Sequence, residues 1–257
     1  MAKKEKVIYC QLLDLDDCMW HNFFLNHYQA IWRLIFLISA VGSGIFFAFG
    51  LIYIFLYSPA DYQQGNFVKI MYVHVPSAWM SLIIYSVMGI LSIGYLIWRN
   101  QLLDIIARKA AIIGFCFCGI ALVTGSMWGK PIWGTWWVWD ARLTSMLILA
   151  CFYFSYIALC GTLQHSPIPS DAPAVLAIVG LINIPIVKWS VNLWATLHQP
   201  ASIFRIAGPA VHSTMLLPLM LMFMGCLCCF VALLILRVQT ERMQRKILRM
   251  RYNFFKY

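Results

Sequence analysis

Charge is scarce in this chain. Asp, Glu, Lys and Arg supply 11% of its residues and 62% are hydrophobic, whereas soluble domains carry about 25% charge. So little charge cannot cover a water-facing surface, and the sequence reads as that of a membrane protein. No polar linker divides the apolar segments, so a single folded domain is expected. Residues 1–26 contain no apolar h-region and do not read as a cleavable signal peptide. No CxxCH occurs, which removes the usual covalent attachment of a c-type haem. No GxxxxGK[ST] occurs either, so any ATP dependence must come from another chain. Disulfide patterning is absent: seven of the nine Cys lie inside apolar runs and read as small hydrophobes.

What is present is organised by the bilayer. A spanning helix needs about 20 mostly apolar residues, and reading between charges gives six, near 34–57, 70–98, 110–127, 143–163, 172–187 and 211–236. The fifth is short and interrupted by Pro185. The expected fold is an all-α membrane protein: a polytopic bundle of six transmembrane helices, with a Trp-rich periplasmic loop at 128–145 between the third and fourth. Under this model fourteen Lys and Arg lie on the side of the two termini and five on the opposite side. Cytoplasmic segments carry such an excess. The net charge of +10 then needs no nucleic acid as partner. The chain divides into a cytoplasmic N-terminal extension (1–30), a six-span membrane domain (31–237) and a basic cytoplasmic tail (238–257) suited to anionic lipid or a protein partner. A reporter fused after Tyr257 is expected to behave as cytoplasmic, and one inserted near Gly134 as periplasmic. A periplasmic C-terminus would overturn the six-span topology.

Five of the eleven Trp fall between positions 128 and 139: Trp128, Trp133, Trp136, Trp137 and Trp139, interrupted by Gly129, Pro131 and Gly134. An interfacial aromatic belt accounts for one or two Trp at a helix end, and an exposed cluster of this size marks a binding site. Trp133, Trp136 and Trp137 have i, i+3, i+4 spacing and suit one helical face, a platform for a flat conjugated ligand. His74 begins the second span, with Ser77, Ala78, Ser81 and Tyr85 behind it as a small, polar stripe expected to face protein. An ionisable residue at membrane depth is a functional candidate; the alternative is a His satisfied by a neighbouring hydroxyl or carbonyl. His198 and His212 lie in and just beyond the last outward connection and compete for the same role on spacing alone. Asp140 either caps the helix that starts near Ala141 or organises the Trp segment, and the two roles are compatible. Two outward His around a Trp cluster suit a planar ligand that contains a metal, and haem meets both halves of that description. Lys130, Arg142 and Arg205 are then either partners for its propionates or ordinary interfacial charges.

The stretch WGKPIWGTWWVWDARLTS (128–145) resembles the WWD signature of bacterial haem-handling proteins. MYVHVPSAW (71–79) and LWATLHQ (193–199) resemble the two His segments that flank it. With six spans and short loops, the chain is similar to the haem exporter protein C family of cytochrome c maturation system I. The larger cytochrome c synthetases that share the motif have further spans. The resemblance covers residues from about 33 to 236 and leaves out the N-terminal extension. It implies haem b held non-covalently on the periplasmic face of the inner membrane. It also implies His74 and His198 as axial ligands, which favours His198 over His212, and a platform of Trp128, Trp133, Trp136, Trp137, Trp139 and Asp140; Arg142 joins the candidate haem-binding residues for its charge. The implied partners are a periplasmic haem chaperone that receives the haem, an ABC-type ATPase with its membrane subunit, and a small single-span subunit. The expected role is binding and delivery, without catalysis. The alternatives are a transporter that exports haem across the bilayer and a redox protein that keeps its haem. Against a transporter stand the lack of a clear internal repeat and the placing of the candidate ligands at one face.

Overall fold

The computed structural model describes residues 15–163, 171–194, 196–198, 203, 208 and 211–255, with side chains from Gln29 onward except at 249 and 252–255. Arg205, His165, Gln199 and the lysines at 3, 4, 6 and 256 lie outside the described residues, as do the side chains of His21 and His27.

The described chain is helical almost throughout. In order it forms α1 (Leu15–Leu56), a 3-10 turn (Asn66–Ile70) leading into α2 (Met71–Trp98), α3 (Gln101–Trp133), α4 (Ala141–Leu163), α5 (Ala172–Gly180), α6 (Asn183–Leu193) and α7 (Ser213–Phe255). Six stretches are long and apolar enough to cross a membrane: Gln29–Leu56, Asn66–Trp98, Gln101–Trp133, Ala141–Leu163, Ala172–Leu193 and Ser213–Leu248. The protein is thus the expected bundle of six candidate spans.

Of the helix boundaries that differ from the expectation, three have a local reason. The third span does not stop at the charges before Ala110 or at Met127. Asp104 and Arg108 pair one turn apart at 2.8 Å, and Lys109 reaches Glu241 of α7 at 2.8 Å, so α3 carries these charges without breaking. At its other end α3 runs through Trp128 to Trp133. Gly134 ends it with a left-handed φ of 75°, its N–H donating to the Lys130 carbonyl at 3.0 Å, a conformation that glycine adopts at little cost. The Trp-rich segment 128–145 is therefore not one loop: only 134–140 leaves helical geometry. Nor do Trp133, Trp136 and Trp137 share a helical face, since the helix ends between them. The fifth span is longer than expected and bent. Pro185 has no N–H and its ring collides with the carbonyl four residues back, at Leu181. The chain accordingly breaks at Leu181 and Ile182, which bond three residues back to Ile178 and Val179, and resumes as α6.

At 43 residues α7 is about 64 Å long, roughly twice the thickness of a bilayer's apolar core. Its end must therefore leave the membrane, carrying the basic tail as a helix. Glu241 also holds Arg245 at 2.7 Å. At the same end of the bundle, Arg99 at the α2 terminus pairs with Asp171 ahead of α5 at 2.7 Å.

The long helices α2 and α3 pack together at the centre, with α1 and α7 paired on one flank and α4, α5 and α6 on the other. Ser77, Ser81 and Tyr85 are buried as the stripe behind His74 predicts, with Ala78 half-buried, and the Tyr153 hydroxyl donates to the Ser81 carbonyl at 2.7 Å. Close approach of the helices depends on glycine where the phenol end of a ring meets the backbone: Gly114 accommodates Tyr153 and Gly180 accommodates Tyr85.

Candidate functional site

His74 projects from α2, about two turns into its span. Its Nδ1 lies 2.9 Å from the Ala121 carbonyl of α3 and 3.2 Å from Thr124 Oγ1. A carbonyl only accepts, so Nδ1 carries the proton and Nε2 keeps its lone pair. The ring lies against Gly125, where an added Cβ would stand 2.8 Å from His74 Cε1. Sequence reasoning did not single out Gly125, Thr124 or the Ala121 carbonyl.

His198 lies in the connection after α6, at the other side of the site. Its Nδ1 is 2.9 Å from Asp140 Oδ2. A carboxylate accepts, so here too the proton sits on Nδ1 and the lone pair on Nε2. Asp140 is buried, and its other oxygen, Oδ1, accepts the Leu143 N–H at 2.7 Å. One carboxylate therefore performs both roles left open above: it caps α4 and it orients His198. Burial, assisted by Arg142, holds the His198 imidazole below its usual pKa of 6.5, against an opposing pull from Asp140. Replacing Asp140 with Asn removes that upward pull, so His198 of the ligand-free protein is expected to titrate lower still. Nitrogen-15 spectra of histidine-labelled protein across pH 4–8 measure it, and a rise in the Asn variant would show that the carboxylate does not face the ring.

His212 is placed differently. It is exposed, its Nδ1 engages Thr214 at Oγ1 (2.8 Å) and N–H (3.4 Å), and it serves the start of α7. The geometry thus separates the two candidates that spacing could not.

The five indoles fall into two groups. Trp128, Trp133 and Trp137 are half-buried. Trp128 meets the His74 ring edge-on with centroids 5.8 Å apart, and Trp133 meets His198 likewise at 4.8 Å. Gly129 leaves room for the Trp133 ring. Trp128 Nε1 donates to Gln64 Oε1 at 3.0 Å, and Gln64 is itself fixed by a turn in which Asp61 Oδ1 accepts the N–H groups of Gln63 and Gln64. The connection between α1 and α2 thereby steadies the indole beside His74, a contribution with no signal in the residue pattern. Trp137 Nε1 is buried with no partner among the described residues. Trp136 and Trp139, by contrast, are 58% and 74% exposed and form an outward rim.

Of the three basic candidates, Lys130 is already engaged. Its Nζ donates to the Gly134 carbonyl at 2.9 Å and lies 6.0 Å from the Trp136 ring centroid. Arg142, half-buried in the first turn of α4, is near enough to act electrostatically on both imidazoles, and His198 acts on His74 in the same way. Two imidazoles with free Nε2 lone pairs, the indoles of Trp128 and Trp133 and the Arg142 guanidinium are therefore brought together at one end of the bundle.

The family model described as "Heme exporter protein C" matches residues 21–253. The chain is 46% identical over 208 residues to "Heme exporter protein C" of Bradyrhizobium diazoefficiens, covering 81% of this chain and 79% of the relative. It is 43% identical over 175 residues to the protein of the same name in Escherichia coli K12, covering 68% and 71%. A third relative is the "Putative cytochrome c biosynthesis ccmC-like mitochondrial protein" of Marchantia polymorpha, 49% identical over 166 residues, 65% of this chain and 70% of that one.

Proposed function

Since this chain belongs to the heme exporter protein C family, we propose that it binds haem b on the periplasmic face of the inner membrane and delivers it to a periplasmic haem chaperone for cytochrome c maturation. The observation that carries this reading is the pair of imidazoles whose Nδ1–H groups are both committed to protein oxygens. Histidines that ligate a metal are commonly held in this way, because the second hydrogen bond fixes the ring and raises the basicity of the free nitrogen. The described residues offer no grouping of three His, Cys, Asp or Glu. Two imidazoles alone hold a bare ion poorly, whereas haem iron brings four nitrogens and needs only two axial partners.

In this reading haem is cargo. His74 and His198 bind its iron through Nε2, Trp128, Trp133 and Trp137 wall the macrocycle, and Arg142 faces a propionate. Both termini are cytoplasmic, and Trp136 and Trp139 look outward to the acceptor. The ABC-type ATPase, its membrane subunit and a small single-span subunit are the remaining partners, and the basic end of α7 faces anionic lipid. The test is an absorption spectrum of the purified protein before and after reduction, followed by mixing with the acceptor chaperone. A six-coordinate low-spin spectrum that moves to the acceptor supports the reading. Haem that stays on the chain throughout would point to a resident redox centre.

A further inference from the structure

The two imidazoles have unlike supports, and we infer that His198 is the ligand exchanged during hand-off while His74 stays on the iron. This rests on the bis-His haem site proposed above. His74 is anchored to a backbone carbonyl of α3 from within α2, and these two helices form the centre of the bundle. Its ring lies on Gly125, and its neighbours Tyr72, Ser77 and Met80 are buried. Withdrawing His74 therefore requires α2 and α3 to part. His198 instead sits in an irregular connection, where, among the described residues, its backbone N–H bonds to nearby Thr196 Oγ1, at 3.2 Å. Among the described residues, the one side-chain hydrogen bond that ties its ring to the bundle comes from the Asp140 carboxylate, with the edge of Trp133 packed beside it.

Asp140 is in turn the last residue of the 134–140 connection, which carries the exposed Trp136 and Trp139. A protein that docks on those two rings pulls on the segment that holds Asp140, and Asp140 holds His198. The coordinate bond from iron to His198 Nε2 then breaks, the electron pair stays on the imidazole, and a lone pair from the acceptor fills the vacated position. No electron is transferred, the iron keeps its oxidation state, and the proton on Nδ1 need not move.

Carbon monoxide reads the order directly. It binds ferrous haem only after one axial His has left, so at saturating gas the binding rate reports the departure of the looser ligand. The full-length, haem-loaded protein is reduced with dithionite and mixed with carbon monoxide. Asp140→Asn keeps an oxygen to cap α4 but loses the carboxylate, and it is expected to raise the rate about tenfold or more, the scale on which second-shell partners act. Thr214→Val, beside His212 and away from the two ligands, is the control and is expected to leave the rate within about twofold of wild type. A positioning role for Asp140 also predicts that the resting low-spin spectrum of the Asn variant stays close to wild type, which a collapsed fold would not give. Acceleration by Thr124→Val, which weakens the support of His74, with no change in Asp140→Asn would reverse the order, and an Asp140→Asn rate no faster than the Thr214→Val control would overturn it. Wild-type protein that shows no six-coordinate haem at all would instead remove the bis-His site, and the exchange order with it.

Discussion

Haem-loaded His74→Ala is expected to lose the six-coordinate low-spin spectrum and most of its haem, and His198→Ala to do the same. Each change removes an axial nitrogen whose second-shell support alone is worth about 10–100-fold in metal affinity, so occupancy should fall by about a hundredfold or more. The fold should survive both. Truncating His74 leaves a space beside Gly125 and frees the Ala121 carbonyl, while truncating His198 leaves Asp140 still bonded to the Leu143 N–H. Exogenous imidazole fits either gap and should return the low-spin spectrum, because it replaces the missing nitrogen and can donate to the same oxygen. His212→Ala should be silent, since that ring serves Thr214 at the start of α7. His21→Ala and His165→Ala, on the opposite side of the six-span topology, should be silent too. A large loss in His212→Ala with a silent His198→Ala would move the second ligand and detach Asp140 from the site.

Much of this architecture was legible because bilayer physics writes itself into composition. Six apolar runs between charges are hard to miss, and all six recur as helical stretches of spanning length, the fifth of them broken in two. Their ends were harder, because charges are only a proxy for where a helix stops. Asp104, Arg108 and Lys109 look like a boundary in one dimension, yet each has a partner one turn away or on α7. Neutralised in this way, they continue the helix. Trp128 and Trp133 look like loop residues because Gly129 and Pro131 surround them. The turn is made by Gly134 alone, and Gly129 is a place for a ring to lie.

At the site, legibility followed chemistry. Side chains that meet a ligand are unusual residues in unusual places, and His74, His198 and the Trp cluster stood out for that reason. The groups that hold them did not. The partner of His74 is a backbone carbonyl, which every residue possesses, and the partner of Trp128 is a glutamine 64 positions away on another connection. Asp140 was an intermediate case, conspicuous beside the indoles, but its bond to a histidine 58 residues later becomes visible only when α4 and the connection after α6 are set side by side.

The sharpest test of the aromatic cluster comes from dividing it as the structure does. Trp133→Ala with Trp137→Ala removes two half-buried indoles from the walls of the site, one of them edge-on to His198. Burying a large apolar side chain is worth about 1.5–3 kcal/mol, so this pair is expected to weaken haem retention on the order of a hundredfold. Whatever haem remains should keep its bis-His spectrum, because indoles touch the macrocycle and imidazoles bond the iron. Phe at both positions should be milder, since an aromatic face remains. Trp136→Ala with Trp139→Ala removes the exposed rim instead. Haem content should then stay close to wild type while transfer to the chaperone slows by about tenfold or more, because exposed aromatic anchors contribute at least about 1–2 kcal/mol each when a partner buries them. A crosslinker at Thr135, between the two groups, should capture the chaperone in wild-type protein and do so less in the rim variant. The division fails if the rim pair empties the site and the wall pair does not. If both pairs leave haem content and delivery unchanged, all five indoles reduce to a membrane-interface belt.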